Sequence, residues 1–292
     1  VVRAEELEVL RSRDYEEPYF FHAMALRGRE LTFIELKKIF RQKDESFTSL
    51  LNQVRTNQGV EQALRIINDS CYQPSAVNNE NAIVLTTTNQ RADNINQQAM
   101  SALDTTTKVY RGRMEGKFVV DERNLPSPLD LTLKINARVM FTANDKNIPR
   151  KWMNGSLGRV VQFSSDSVTV EIDPPIGKSS KFSNFVEVPV FTWESYQYEY
   201  DDKSDQIKPV VNGSFQQFPL MLAWAVTIHK SQGKTLERVT VDLAGGAFAP
   251  GQVYVALSRC TTLEGINLAK PIKTMDVRSN SHIQHFYRRL SH

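Results

Sequence analysis

The chain has very little cysteine. Cys71 and Cys260 are the only two among its 292 residues, they lie far apart, and neither belongs to a metal-ligand spacing. This usage favours a reduced, cytosolic protein without structural zinc. Long hydrophobic runs are also missing, because no 18 consecutive residues are all apolar, and so the sequence offers no membrane span. Residues 1–6 lack both a signal-peptide pattern and an initiator methionine, which fits a truncated or processed chain.

A strong excess of charge of either sign is absent as well. The chain has 36 Lys and Arg residues against 33 Asp and Glu residues, a formal net charge of +3 and a pI near 8.7. A balance this mild predicts that any nucleic-acid binding comes from a local groove and not from a basic tail. With 40% hydrophobic residues, the chain can bury the core of one large domain or of two smaller ones.

The sequence contains no phosphate-binding P-loop. Two Gly-Lys-Ser/Thr triplets occur, at 177–179 and 233–235. A P-loop needs another glycine five residues before the glycine of the triplet, so that backbone amides can surround the phosphates. Those two positions hold Ile172 and Ile228, and neither triplet therefore qualifies.

The acidic residues do not indicate a metal site. An apolar run ends in Asp121-Glu122 and imitates a magnesium-binding pair, but without a P-loop before it a solvated loop is the simpler interpretation. Carboxylates and histidines do not cluster at the spacing that a nuclease or a metal-dependent hydrolase needs. We therefore expect no metal ligands on this chain.

Hydrophobic patterning predicts α/β segments on both sides of a β-rich middle. A strand followed by a helix is typical of a parallel sheet. The elements predicted before residue 131 are a strand at 19–24, an amphipathic helix with its apolar stripe at Phe47, Leu50, Leu51 and Val54, a buried strand at 82–88 and a helix at 90–103.

From 131 to 217 the pattern changes to short strands separated by turns. Residues 158–163 and 167–172 predict a hairpin across the turn at 164–166. Several such strands in one stretch indicate a small β-barrel inserted into a parent α/β domain. The α/β pattern returns after 217, with a strand at 239–243 and a helix at 253–257.

Three segments combine apolar and polar residues in ways that suit a phosphate-binding function. An apolar stretch ends abruptly in the polar residues 227–235, a second segment ends in Arg259, and a third contains Arg41. Each has a simpler explanation when it is taken alone. Gly233 can end a helix, Arg259 can stabilise a helix C-terminus by roughly 0.3–1 kcal/mol, and Arg41 can form a surface salt bridge.

Taken together and in order, the segments resemble the C-terminal motor motifs of superfamily-one helicases of the Pif and RecD type. Residues 40–42 resemble motif four, residues 227–233 motif five and residues 254–259 motif six. Two further segments resemble family features: residues 85–96 the strand and helix that meet DNA, and residues 153–158 a turn of the inserted barrel. The likeness extends from about residue 19 to about residue 268.

This resemblance implies the fold. The expected class is α/β, a RecA-like parallel sheet flanked by helices, without a P-loop and with an inserted small β-barrel. Residues 1–130 and 218–292 would form the two parts of RecA-like motor domain two, and residues 131–217 the barrel. The family's first motor domain, with its P-loop, is absent, so the chain resembles a fragment that supplies only part of an ATP site.

The resemblance also implies roles for particular residues. ATP and Mg²⁺ would be held mainly by the absent domain, while Arg41 and Arg259 would act as catalytic arginine fingers on the γ-phosphate. Single-stranded DNA and duplex junctions are the expected partners, with five-prime to three-prime travel. The cofactor-binding candidates are Gln42, Gln232, Gly233 and Lys234, the nucleic-acid candidates are Thr86, Asn89, Asn154, Thr227, His229, Lys230 and Ser231, and the possible stacking aromatics are Trp152, Trp193 and Tyr196.

A rival hypothesis is a non-catalytic module that binds single-stranded nucleic acid. The β-rich middle and the lack of a P-loop support it. It does not explain why Arg41 and Arg259 occur in motifs of the right type and order.

Overall fold

The computed structural model has six α-helices and fourteen β-strands in the part of the chain that it describes, which excludes residues 1–3, 14, 16, 30–31, 35–38, 40, 43, 73–81, 119–124, 174–183, 202–204 and 291–292. Phe40, the Asp121-Glu122 pair and the triplet at 177–179 lie outside the described residues. The helices are α1 (Ala4–Arg11), α2 (Glu45–Thr56), α3 (Val60–Cys71), α4 (Asn89–Ser101), α5 (Gln252–Leu257) and α6 (Ser281–Leu290).

The strands fall into one parallel sheet and three antiparallel sheets. In chain order they are β1 (Ile83–Thr86), β2 (Thr107–Arg111), β3 (Arg113–Gly116), β4 (Asp130–Lys134), β5 (Arg138–Phe141), β6 (Leu157–Phe163), β7 (Ser167–Ile172), β8 (Phe185–Pro189), β9 (Phe191–Asp201), β10 (Gln206–Gln217), β11 (Leu220–Leu222), β12 (Ala225–Thr227), β13 (Val239–Asp242) and β14 (Ile266–Leu268).

The chain folds into two compact units, residues 1–40 with 279–292 and residues 41–278. The smaller unit contains α1, α6 and an aromatic cluster in which the Phe21 ring stacks on Phe286 at 4.3 Å between centroids. The strand predicted at 19–24 is wrong: this stretch forms the short 3₁₀ turns Phe20–His22 and Met24–Leu26. Its aromatic side chains pack on one another and on α6 instead of alternating across a sheet.

The larger unit contains a four-stranded parallel sheet with the order β12-β1-β13-β14. Its strands are short and almost wholly buried, as expected of strands that are covered on both faces. Helices α2, α3 and α5 share one hydrophobic core with these strands, and α4 packs against β12 and β1. The apolar stripe of α2 is buried as its spacing predicts. This confirms the α/β class with a parallel sheet flanked by helices.

An antiparallel module with its own core interrupts this α/β unit. Its five-stranded sheet has the order β11-β5-β6-β7-β8, and the predicted hairpin is confirmed as β6 and β7. A second hydrophobic cluster fills the module and includes Leu131, Phe141 and Val168. All strands from β2 to β11 in chain order pair antiparallel with their neighbours. The domain limits at 131 and 217 stay a prediction.

A three-stranded sheet, β3-β10-β9, completes the β-rich part. Arg138 on β5 is almost fully buried, and its guanidinium forms a two-point salt bridge with Asp173 just after β7. None of the described helices is long and apolar enough to cross a membrane.

Candidate functional site

Part of the predicted site lies where the parallel strands end. Thr86, Thr227 and Asp242 are the last residues of β1, β12 and β13, and the strand register sets them level with one another. Open parallel sheets bind their ligands at this edge, because the loops that leave the strands form a crevice there. The chain leaving β12 continues directly into residues 228–235.

Arg259 lies just beyond α5 with its guanidinium held by three protein acceptors. Nε donates to the carbonyl of Val255 at 2.9 Å, Nη1 to the carbonyl of Lys234 at 3.2 Å, and Nη2 to Oγ of Ser258 at 2.9 Å. A guanidinium has five N–H donors, so two are left for a ligand. The side chain is mostly buried and its orientation is fixed.

Arg41 reaches the same place from the other end of the chain. Its Nη1 donates to the carbonyl of Ser258 at 3.1 Å, and its Nε donates to Oγ1 of Thr235 at 3.1 Å. Arg41 and Arg259 therefore both contact Ser258, although 218 positions separate them in the sequence. We call these two residues the arginine pair.

The arginine pair lacks a carboxylate partner among the described residues. Burial lowers the pKa of Arg259, and the positive charge of Arg41 lowers it further, while Tyr254 opposes the shift. Two guanidinium groups that repel each other and form no ion pair within the described ranges make a ready site for an anion. A triphosphate or a similar polyanion would relieve this repulsion.

Gln42 fixes the loop that carries Arg41. Its side chain is buried, and its Nε2 donates to the carbonyls of Ser258 at 3.2 Å and Cys260 at 3.0 Å. The amide nitrogen is thus used to tie the loop to the end of α5. A nucleotide contact predicted for Gln42 would have to use its Oε1.

The turn after β12 separates buried side chains from exposed ones. Thr227 and Ser231 are buried, and Oγ of Ser231 donates to the carbonyl of Ile228 at 2.7 Å. Gly233 has a left-handed backbone, with φ of 82°, which bends the chain back towards α5. The structure exposes His229, Lys230, Gln232 and Gly233, and it buries the hydroxyls of Thr227 and Ser231.

A cleft of about 620 Å³ lies beside this turn, and four of its polar lining residues are predicted site residues. They are Asn89 at the start of α4, together with His229, Lys230 and Lys234. The structure therefore brings three of the predicted nucleic-acid contacts together. It adds Lys234, which the motif had suggested for the nucleotide. The remaining lining residues are Asp93, Leu125, Pro126, Ser127, Pro128, Thr142 and Met221.

Thr86 does not reach this cleft surface. Its side chain is 0% exposed, and its hydroxyl donates to the carbonyl of Thr88 at 3.0 Å. Asn96, in the segment that resembles the family's DNA-contacting helix, is buried too. Its Nδ2 donates to the carbonyl of Ala225 at 2.8 Å, and its Oδ1 accepts from the amide of Ala225 at 2.9 Å. Both residues shape the edge of the sheet from within.

Lys234 bridges the cleft and the antiparallel module. Its Nζ donates to Oδ1 of Asn154, and its aliphatic stem lies against Gly155, where an added Cβ would come within 3.1 Å of the lysine Cγ. Burial lowers the pKa of Lys234 to about 8. Asn154 thus has a defined partner in the segment that follows β12.

The three aromatic candidates for base stacking differ in exposure. Trp152 is 6% exposed and stacks on Phe141 in the core at 5.0 Å between centroids. Trp193 is partly buried and lies against Phe215. Only Tyr196 of the three is exposed, and its hydroxyl donates to a neighbouring carboxylate.

An ion pair at the same sheet edge was missed by the sequence analysis. Arg91 on α4 contacts Asp242 at the end of β13 at 2.9 Å. Asp242 also accepts from the amide of Ala244 at 2.9 Å, which turns the chain away from the sheet. The acidic residue inside the otherwise apolar end of the predicted strand at 239–243 was the available signal. Within the described ranges, no group of three or more His, Cys, Asp or Glu residues is arranged to hold a metal ion.

Known proteins resemble this chain in sequence and in fold. No family model matches the chain. The ATP-dependent DNA helicase Pif1 of Bdellovibrio bacteriovorus is 31% identical over 231 residues, which cover 78% of this chain and 48% of that protein. The solved structure of Bacteroides sp Pif1 in complex with ADP-AlF4 superposes with a TM-score of 0.82 at 31% identity, covering 100% of this chain and 64% of that one. The chain belongs to the Pif1-type helicases of superfamily one.

This Pif1-type chain also resembles Bacteroides Pif1 bound to ssDNA, with a TM-score of 0.68 and 31% identity over 100% of this chain and 64% of that one. It spans about half the length of the curated relative from Bdellovibrio.

Proposed function

We propose that this chain is the second motor domain of an ATP-dependent DNA helicase that moves on single-stranded DNA and unwinds duplex. One observation supports it most: the arginine pair meets at Ser258 without a carboxylate partner among the described residues. Arginines with a purely structural role would each be paired with a carboxylate, and two positive charges would not lie side by side.

On the nucleotide side, Arg41 and Arg259 would bind the γ-phosphate of ATP. Fixed positive charge of this kind stabilises the transferring phosphoryl group and contributes on the order of 10³–10⁵ in rate. The phosphates and Mg²⁺ would be held mainly by a P-loop-bearing RecA-like domain in cis, because these 292 residues contain no P-loop. Mg²⁺ would neutralise charge that develops on the phosphate oxygens. Gln232 and Gly233 would lie beside the bound nucleotide.

On the nucleic-acid side, the cleft lined by Asn89, His229 and Lys230 would hold the phosphate backbone of a single strand. Such contacts are independent of base sequence, which a translocating motor requires. The buried Thr86, Thr227 and Ser231 would act indirectly by shaping this surface. The family resemblance supports five-prime to three-prime travel, and duplex junctions would be the substrates for unwinding.

The test compares two forms of the protein. ATP hydrolysis is measured with and without single-stranded DNA, for this chain alone and for a form that also carries a P-loop motor domain. We expect no hydrolysis by the chain alone and DNA-stimulated hydrolysis by the longer form. Hydrolysis by the chain alone would overturn the proposed division of the ATP site. A longer form that binds DNA without hydrolysing ATP would favour the non-catalytic module.

A further inference from the structure

Lys234 touches three separate parts of the larger unit. Its backbone carbonyl accepts from Nη1 of Arg259 at 3.2 Å, and its side chain lines the cleft with His229 and Lys230. Its Nζ donates to Asn154 on the turn that precedes β6. The next residue, Thr235, receives the hydrogen bond from Nε of Arg41. Residues 234 and 235 thus hold both members of the arginine pair while the lysine side chain points towards other elements.

We infer that Lys234 links the cleft to the arginine pair: its ammonium group binds a phosphate of nucleic acid in the cleft, Asn154 holds that group when the cleft is empty, and its carbonyl passes the displacement to Arg259. This inference rests on the proposed function, since it needs a nucleic-acid strand in the cleft. It assigns Lys234 to the strand and not to the nucleotide for which its motif suggested it.

The resting contact is weak enough to be exchanged. Asn154 is exposed and offers Lys234 a neutral amide oxygen, whereas a phosphate offers a charged one. The ammonium group is charged in both contacts, and the opposite charge of a phosphate adds a Coulombic attraction that the neutral amide oxygen lacks. The stem of Lys234 lies against Gly155, where a larger residue would press on it. The ammonium group can therefore leave Asn154 for a phosphate at the cleft mouth.

The surroundings of Lys234 give the inference a pH signature. With its pKa near 8, the free ammonium group loses its proton between pH 7 and pH 9, and a bound phosphate would return it. A contact that requires the charged form then weakens by about tenfold between those pH values. An ordinary lysine stays charged throughout this range. The charged and titratable groups around Lys234 are Asp93, His229 and Lys230 in the cleft, Arg41 and Arg259 behind it, and Arg150, Lys151, Glu237 and Arg238 near Gly155.

The binding experiment titrates a fluorescein-labelled 20-nucleotide oligo-dT with the chain and follows its anisotropy from pH 7 to pH 9. The dissociation constant should rise about tenfold for the unchanged chain and stay level for Lys234→Arg, whose guanidinium remains charged. Lys234→Met should bind oligo-dT weakly, with a dissociation constant that does not change between pH 7 and pH 9. Lys230→Met is the matched control, because it removes a neighbouring charge of the same cleft and should keep the slope. A slope that persists in Lys234→Met would overturn the inference.

The linkage to the arginine pair is measured by NMR on the same samples. The Nε–H group of Arg259 donates within the protein, so its signal can be followed and assigned with Arg259→Lys. Saturating oligo-dT at pH 7 should shift this signal in the unchanged chain and in Lys234→Arg, but not in Lys234→Met. An equal shift in Lys234→Met would refute the linkage. Failure of the unchanged chain to bind oligo-dT at all would instead refute the proposed function.

Discussion

The clamp between Asn96 and β12 gives a sharp prediction about stability. The Asn96 side chain forms two hydrogen bonds to the backbone of Ala225, which is fully buried on an edge strand. Asn96→Ala leaves one buried N–H and one buried carbonyl without partners. Each such group costs about 1–3 kcal/mol, and alanine returns roughly 0.6 kcal/mol through its higher helix propensity. The two groups together cost about 2–6 kcal/mol, and we therefore expect the free energy of unfolding to fall by about 1.5–5 kcal/mol.

The assay is urea denaturation followed by circular dichroism. Gln97→Ala is the matched control, because Gln97 is an exposed neighbour on α4, and it should change stability by less than about 0.5 kcal/mol. Since β12 leads directly into the turn at 228–234, Asn96→Ala should also weaken oligo-dT binding under conditions where the variant is still folded. If Asn96→Ala were as stable as Gln97→Ala, the hydrogen bonds to Ala225 would not stabilise the sheet edge.

Two other predictions concern buried charged and titratable groups. Asp173→Ala leaves the buried Arg138 guanidinium without its partner and should lower the free energy of unfolding, measured by urea denaturation, by about 2–3 kcal/mol. This is less than the full cost of breaking a buried pair, because Asp173 is partly exposed. Asp166→Ala in an exposed turn is the control, and equal stability of the two variants would contradict the prediction. Burial raises the pKa of Cys71 to about 12 and the pKa of Cys260 to about 11, from the ordinary value of 9.0. Iodoacetamide at pH 8 should therefore label neither thiol until the chain is unfolded. Labelling of either thiol in the native chain would refute the burial of these two cysteines. Because the unfolded thiols ionise near pH 9, folding stability should also decline as the pH rises from 9 towards 11.

Some elements could be predicted from the sequence, because the pattern of apolar residues that identifies each of them lies within one short segment. The stripe of α2, the buried strand β1 and the β6–β7 hairpin each need only neighbouring residues to be recognised, and the structure confirms them. The strand predicted at 19–24 failed because aromatic residues suit a strand and a packed aromatic cluster equally well. Its actual partner, Phe286, is too distant in sequence for any local pattern to indicate it.

The motifs nominate the candidate site residues as a set, but they do not indicate the contacts that each residue makes. The order of the motifs pointed to Arg41 and Arg259, but only the fold brings both to Ser258. Polar residues at the end of an apolar strand look alike in sequence, whether they face solvent, like His229, or the interior, like Thr86. The burial of such residues depends on packing between distant segments, which spacing does not reveal.

The most direct test of the central claim is the turnover number for DNA-stimulated ATP hydrolysis in a form of the protein that carries a P-loop motor domain. We predict that Arg259→Ala and Arg41→Ala each lower it by on the order of 10³, while Arg55→Ala, which removes an exposed arginine on α2, leaves it unchanged. Turnover within a few-fold of the unchanged protein in both arginine-pair variants would contradict the account.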